Sequence, residues 1–87
     1  MINNLSLDEQ TVLEFLYTCY QESKEFVIFF NKEKYDQIPN KSKEEVNKIL
    51  SKLQILNYIN ISKDINKYPH LFAGDITLKE KTFNYFN

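Results

Sequence analysis

Few side chains in this sequence are suited to acid–base, nucleophilic or metal chemistry. His70 is the single histidine and Cys19 the single cysteine. Asp64 and Asp75 lie near His70 in sequence, yet no nucleophile is spaced with them in the pattern that a base and an orienting group require. One histidine, one cysteine and carboxylates without loop spacing do not compose a zinc or calcium site. A phosphate-cradling loop needs several glycines, and the chain has one, Gly74. His70, after Pro69, therefore reads as a structural histidine. Cys19 reads as a small hydrophobe, and alone it excludes an intrachain disulfide. No enzymatic activity, metal or cofactor is expected.

What remains is cationic and amide chemistry. All eleven basic residues are lysine, so no arginine fork is available for bidentate contact with guanine or phosphate. The lysines are unevenly placed. Residues 1–30 carry one lysine and five acids, residues 31–70 carry eight lysines and five acids, and the overall charge is −1. A basic middle in a mildly acidic chain is compatible with nucleic-acid binding without requiring it.

The elements that must position these groups follow from periodicity. Val46, Ile49, Leu50, Leu53 and Leu56 form one apolar stripe on a helix. Ser42 with Glu45 is a capping box that fixes its start, and Asn57 tolerates the left-handed conformation that ends helices. Tyr58 to Ser62 then changes to the period of a strand. Upstream, Ser6 and Glu9 cap a first helix ending near Ser23 to Glu25. Its stripe is Val12, Leu13, Leu16, Cys19 and Tyr20, widened by Phe15 and Tyr17. So broad a face suits either burial by two neighbours or a dimer contact. Phe26 to Phe30 reads best as a strand, with continuation of the first helix as the alternative. Asn31 caps a short helix over Lys32 to Ile38, and Pro39-Asn40-Lys41 forms the next turn. Downstream, a loop over 63–69 leads to a second strand from about His70 to Ile76, bent near Gly74. Thr77 with Glu80 is a third capping box. It opens a last helix on which Leu78, Phe83 and Phe86 share a face, expected beside the first helix.

Two stretches carry a family likeness. Leu50-x-x-Leu53-x-x-Leu56-Asn57-Tyr58-Ile59 is similar to the end of a winged-helix recognition helix, where a leucine-rich turn steps into the wing. Ile76-Thr77-Leu78-Lys79-Glu80-Lys81-Thr82-Phe83-Asn84-Tyr85-Phe86 resembles the Leu-Thr-Glu-Lys-Gly-x-x-Tyr-Leu segment that opens that family's C-terminal helix. Asn57, Lys79 and Thr82 depart from the usual glycine, threonine and glycine. Pro69-His70-Leu71-Phe72 is similar to the small YjcQ-like winged-helix proteins of Gram-positive bacteria and phages. The resemblance covers nearly the whole chain. It implies an α+β fold over residues 1–87: a single winged helix-turn-helix domain with a three-helix core, a two- or three-stranded β-wing over about 58–76 and a C-terminal helix.

On that fold the helix over about 42–56 is expected to enter a major groove. Placed at 100° per residue with its stripe inward, it directs Glu44, Lys48, Ser51 and Ile55 outward, flanked by Asn47 and Lys52. Lys43, Asn47 and Lys48 are then the base-edge candidates, Asn47 for adenine and Lys48 for guanine or phosphate. Lys41 is placed for a backbone phosphate, and Lys63, Asn66 and Lys67 extend the contact through the wing. The expected partner is double-stranded DNA, in a transcriptional regulator or a phage or mobile-element accessory protein, with a homodimer formed through the first and last helices. Glu44 and Glu45 repel phosphate and Ile55 is apolar on the outward side. These support the alternative, a protein-interaction or assembly module without DNA binding. The longest apolar run, Phe26 to Phe30, is far short of a membrane span. Met1 to Asn4 lacks a secretion-signal pattern, so the expected location is the cytoplasm.

Overall fold

The structure is a computed structural model that describes residues 5–62 and 74–87. Along these the chain runs α1 (Leu7–Ser23), β1 (Val27–Phe30), α2 (Lys32–Gln37), α3 (Lys43–Ile55), β2 (Ile59–Ile61), β3 (Gly74–Leu78) and α4 (Glu80–Phe86). The result is an α+β domain of four helices and a three-stranded antiparallel sheet, ordered β1-β3-β2.

Local chemistry explains where the helices begin and end. At both α1 and α3 a serine oxygen accepts from the third residue's N–H while the glutamate there reaches back to the serine N–H. Each box satisfies two of the amide donors that a helix start leaves over. α3 closes with two reversed bonds, Asn57 N–H to Gln54 O at 3.0 Å and Tyr58 N–H to Leu53 O at 3.0 Å. That pair is the Schellman arrangement, which needs a left-handed residue after the cap. Asn57 supplies it at φ 73°. α1 ends on the same conformation at Lys24, φ 63°, where neither glycine nor asparagine is present to ease the Cβ clash.

β3 lies in the middle of the sheet. Val27, Ile28, Phe29 and Phe30 pair with Thr77, Ile76, Asp75 and Gly74, while Ile59, Asn60 and Ile61 pair with Leu78, Thr77 and Ile76. Side chains alternate across it. Ile28, Phe30, Ile59, Ile61, Ile76 and Leu78 turn inward. They meet Val12, Leu13 and Leu16 of α1, Tyr35 of α2, and Val46, Leu50 and Leu53 of α3 in one core cluster. Gly74 stands opposite the fully buried Phe30 at φ 79°, a conformation that a Cβ would oppose.

The segment 26–30, for which the sequence leaves strand and helix open, is a strand from Val27, and the chain reverses at Lys24 to enter it. The cap expected at Thr77 is absent. Thr77 is a strand residue paired on both sides, to Val27 and to Asn60, so β3 runs two residues past Ile76. α4 starts two residues later than expected, behind Lys79, whose side chain makes no capping bond. Leu78 consequently faces the core from the sheet and not from a helix. The expected loop over 63–69 and the first part of the expected strand, 70–73, lie outside the described residues.

α4 packs beside α1 as expected. Tyr17 stacks on Phe86 at 4.4 Å between ring centroids, and Phe83 meets Tyr17 and Tyr20 edge-on. Part of the broad apolar face of α1 is thus covered within the chain. Thr82 is fully buried, and its hydroxyl donates to Tyr58 O at 2.6 Å.

Replacing Lys24 by glycine removes the left-handed penalty and should raise stability by about 1 kcal/mol, whereas Asn57→Val should lower it by about 1–2 kcal/mol. Urea unfolding followed by circular dichroism measures both, and the opposite signs separate a helix-end effect from general loss of packing.

Candidate nucleic-acid interface

The exposed side of α3 is narrower than its sequence suggests. Val46, Leu50 and Leu53 are buried, with Ile49 and Leu56 packed against them. Burial continues onto two polar residues: Asn47 is 4% exposed and Ser51 7%. Residues 43, 47 and 51 fall at one helical spacing, on the flank next to the stripe. The Tyr35 hydroxyl on α2 donates to Asn47 Oδ1 within this buried zone. Asn47 and Ser51 are therefore not on the outward face where the 100° projection places them. The projection centres the buried arc on the leucines. In the fold α2 covers one flank as well, and the arc spreads toward it.

What remains exposed is Glu44, Glu45, Lys48, Lys52 and Ile55. Lys48 and Lys52 are one turn apart and carry the positive charge of this face. Lys43 is half-buried. Lys41 is mostly covered, and its ammonium pairs with Asp8 at the start of α1 at 2.9 Å, so its charge is already met within the chain. Lys63, Asn66 and Lys67 lie outside the described residues. The structure thus keeps Lys48 and Lys52 together on one open face, turns Asn47 and Ser51 inward, and gives Lys41 an internal partner.

Of the two acids at the α3 start, Glu45 has a local role. Hydrogen bonds from the backbone and hydroxyl of Ser42 hold the Glu45 carboxyl below its ordinary pKa. Glu45 is thus charged at neutral pH at the positive end of the α3 dipole.

Two lysines absent from the sequence-based set gather at the other end of α3. Lys81 Nζ donates to Leu56 O at 2.7 Å and sits 4.5 Å from the centre of the Tyr58 ring. Lys79 Nζ donates to Asn57 Oδ1 at 3.2 Å. A helix C-terminus leaves carbonyls without partners and attracts cations. Periodicity within each segment carries no sign of this pairing, since it joins the residues before β2 to those after β3, far apart in sequence. Burial raises the Tyr58 pKa, with Tyr85 adding to the effect, so the phenol stays neutral under Lys81.

Among the described residues no group of three His, Cys, Asp or Glu side chains is placed to hold a metal ion. No described helix is long and apolar enough to cross a membrane. Comparisons with the profiles of known protein families, with curated proteins and with solved structures found no match to this chain.

Ser51 Oγ is buried with no hydrogen-bond partner among the described residues. Ser51→Ala should therefore leave stability unchanged or raise it by up to about 1 kcal/mol, while Tyr35→Phe, which strips Asn47 of a buried donor, should cost about 1–3 kcal/mol. Chemical denaturation of the two variants checks the contrast. The Ser42–Glu45 cap should also give stability a pH dependence. Because the folded pKa of Glu45 is lowered, its contribution is complete at neutral pH and is lost as the pH falls through that value. Ser42→Ala should flatten this acid-side slope, read from melting temperatures across the acid range.

Proposed function

We propose that this chain is a winged-helix domain that binds duplex DNA through the exposed face of α3, mainly by lysine–phosphate contacts. The order of helices and strands supports the fold reading: a helix, a strand, two helices joined by a short turn, an antiparallel strand pair and a closing helix, with β1 completing the sheet. Asn40, at φ 61°, makes the turn between α2 and α3 tight. The observation that carries the DNA reading is the pairing of Lys48 and Lys52 on the open side of α3.

The inward turn of Asn47 and Ser51 shapes this proposal. With no arginine in the chain and its asparagine amide engaged by Tyr35, α3 offers little for reading base edges. Its contacts are electrostatic, so binding is salt-sensitive and tolerant of sequence. Such a protein suits an accessory or architectural role on DNA, or a regulator whose specificity resides elsewhere. Lys43, half-buried at the α3 start, is the next candidate.

Ile55 favours a second reading. It is 74% exposed on the face that holds Lys48 and Lys52, and Glu44 and Glu45 flank the same face. An apolar residue among mixed charges suits a protein surface better than a phosphate backbone.

A titration of random-sequence duplex DNA at rising salt decides between them. DNA binding predicts that the affinity falls steeply with salt, and that Lys48→Glu with Lys52→Glu lowers it by at least about tenfold and reduces the salt slope by about 2. Ile55→Ser should leave it unchanged. Folded protein that gives no shift at low salt overturns this reading.

A further inference from the structure

The two outer edges of the sheet are finished differently. At β2, Ile61 N–H points away from β3 and donates to Gln54 Oε1 of α3 at 2.6 Å, so a side chain closes that edge. At β1 the register decides which groups face outward. Phe26 O accepts from Leu78 N at 3.0 Å, and Ile28 pairs with Ile76. Bonded and non-bonded positions alternate in an antiparallel ladder. The N–H and C=O groups of Val27 and Phe29 therefore point away from β3, and no described strand pairs with them.

Apolar side chains lie at the same edge. Val27 is 46% exposed and Phe29 62%, both on the outer face of the sheet. Beside the strand runs a groove of about 470 Å³, bounded by Cys19 and Glu22 of α1, by Glu25, and by Lys34 and Gln37 of α2. Val27, Ile28 and Phe29 form its length. Its charged lining holds two carboxylates against one ammonium.

We propose that β1 accepts an extended peptide as an added antiparallel strand, selecting an apolar–basic–apolar triplet. The peptide backbone bonds to Val27 and Phe29. Its two apolar side chains lie beside theirs, and the lysine or arginine between them enters the groove toward Glu22 and Glu25. Strand addition draws affinity from main-chain bonds and specificity from alternate side chains, which this edge offers together. A second copy of the chain fits less well. Phe26, Val27 and Phe29 are the large apolar side chains exposed here, and they fall well short of the roughly 800 Å² per partner that a stable complex buries. Pairing β1 with another β1 also brings apolar residues, not a cation, to the carboxylates.

The test is a titration of the full ¹⁵N-labelled chain with the capped peptide Ser-Val-Lys-Val-Ser, followed by amide shifts. The expected result is saturable binding with the largest shifts at Val27 and Phe29. Replacing the peptide lysine by glutamate should weaken binding at least about fivefold, and N-methylating both valines should abolish it. Val27→Pro removes only an outward N–H and should weaken binding about tenfold. Glu25→Lys, at an exposed position, should weaken the lysine peptide and strengthen the glutamate peptide, and it keeps the test decisive if the proline variant does not fold. Absence of saturable shifts, shifts centred elsewhere, equal binding of the glutamate peptide, or self-association that buries Val27 and Phe29 would overturn the proposal.

Discussion

The backbone of Tyr58 ties three parts of the domain together. Its N–H closes α3 on Leu53 O, and its carbonyl accepts from both Lys79 N–H and the Thr82 hydroxyl, which lead into α4. Its ring lies under the Lys81 ammonium and edge-on to Tyr85. Each bond is worth about 1 kcal/mol net, but they share one residue and so form or break together. Asn57 makes the arrangement accessible, because only a left-handed residue there lets the chain leave α3 and enter β2 at once. The orientation of α3 against the sheet follows from this junction.

That orientation determines what α3 offers to a partner. With its leucines in the core and α2 against one flank, α3 gives most of its circumference to folding. The polar residues on the covered flank become part of the interior, where Tyr35 meets Asn47. The face left over carries two lysines, two glutamates and Ile55. It is small and nearly balanced in charge. Of the two acids at one end, Glu45 belongs to the cap, whose hydrogen bonds the helix start requires. Mixed charge on this face is therefore in part a consequence of how the helix begins.

Local chemistry made most of the fold readable in the sequence. Ser6–Glu9 and Ser42–Glu45 mark helix starts because capping is decided within four residues. Asn57 marks a helix end for the same reason. The Thr77–Glu80 pair has the same spacing of hydroxyl and glutamate and forms no cap, because pairing to β1 and β2 holds Thr77 in the strand. Tertiary pairing outweighed a local preference of about 1 kcal/mol. The candidate site was less legible. A helical projection locates the stripe but not its width, which depends on what packs beside it. It could not reveal that α2 covers Asn47, or that Asp8 on another helix neutralises Lys41. Such facts depend on the approach of distant segments.

The central place of β3 has a consequence for the order of assembly. It is the last of the described strands, yet the other two hydrogen-bond only through it. The packing of α1 on α3 joins segments that come earlier in sequence and needs no sheet. β1, by contrast, must wait for partners about half the chain away, and closing that loop carries an entropic cost. During synthesis α1, α2 and α3 can therefore gather before β3 is made, and the sheet can form only once Gly74 to Leu78 is available to pair with β1 and β2.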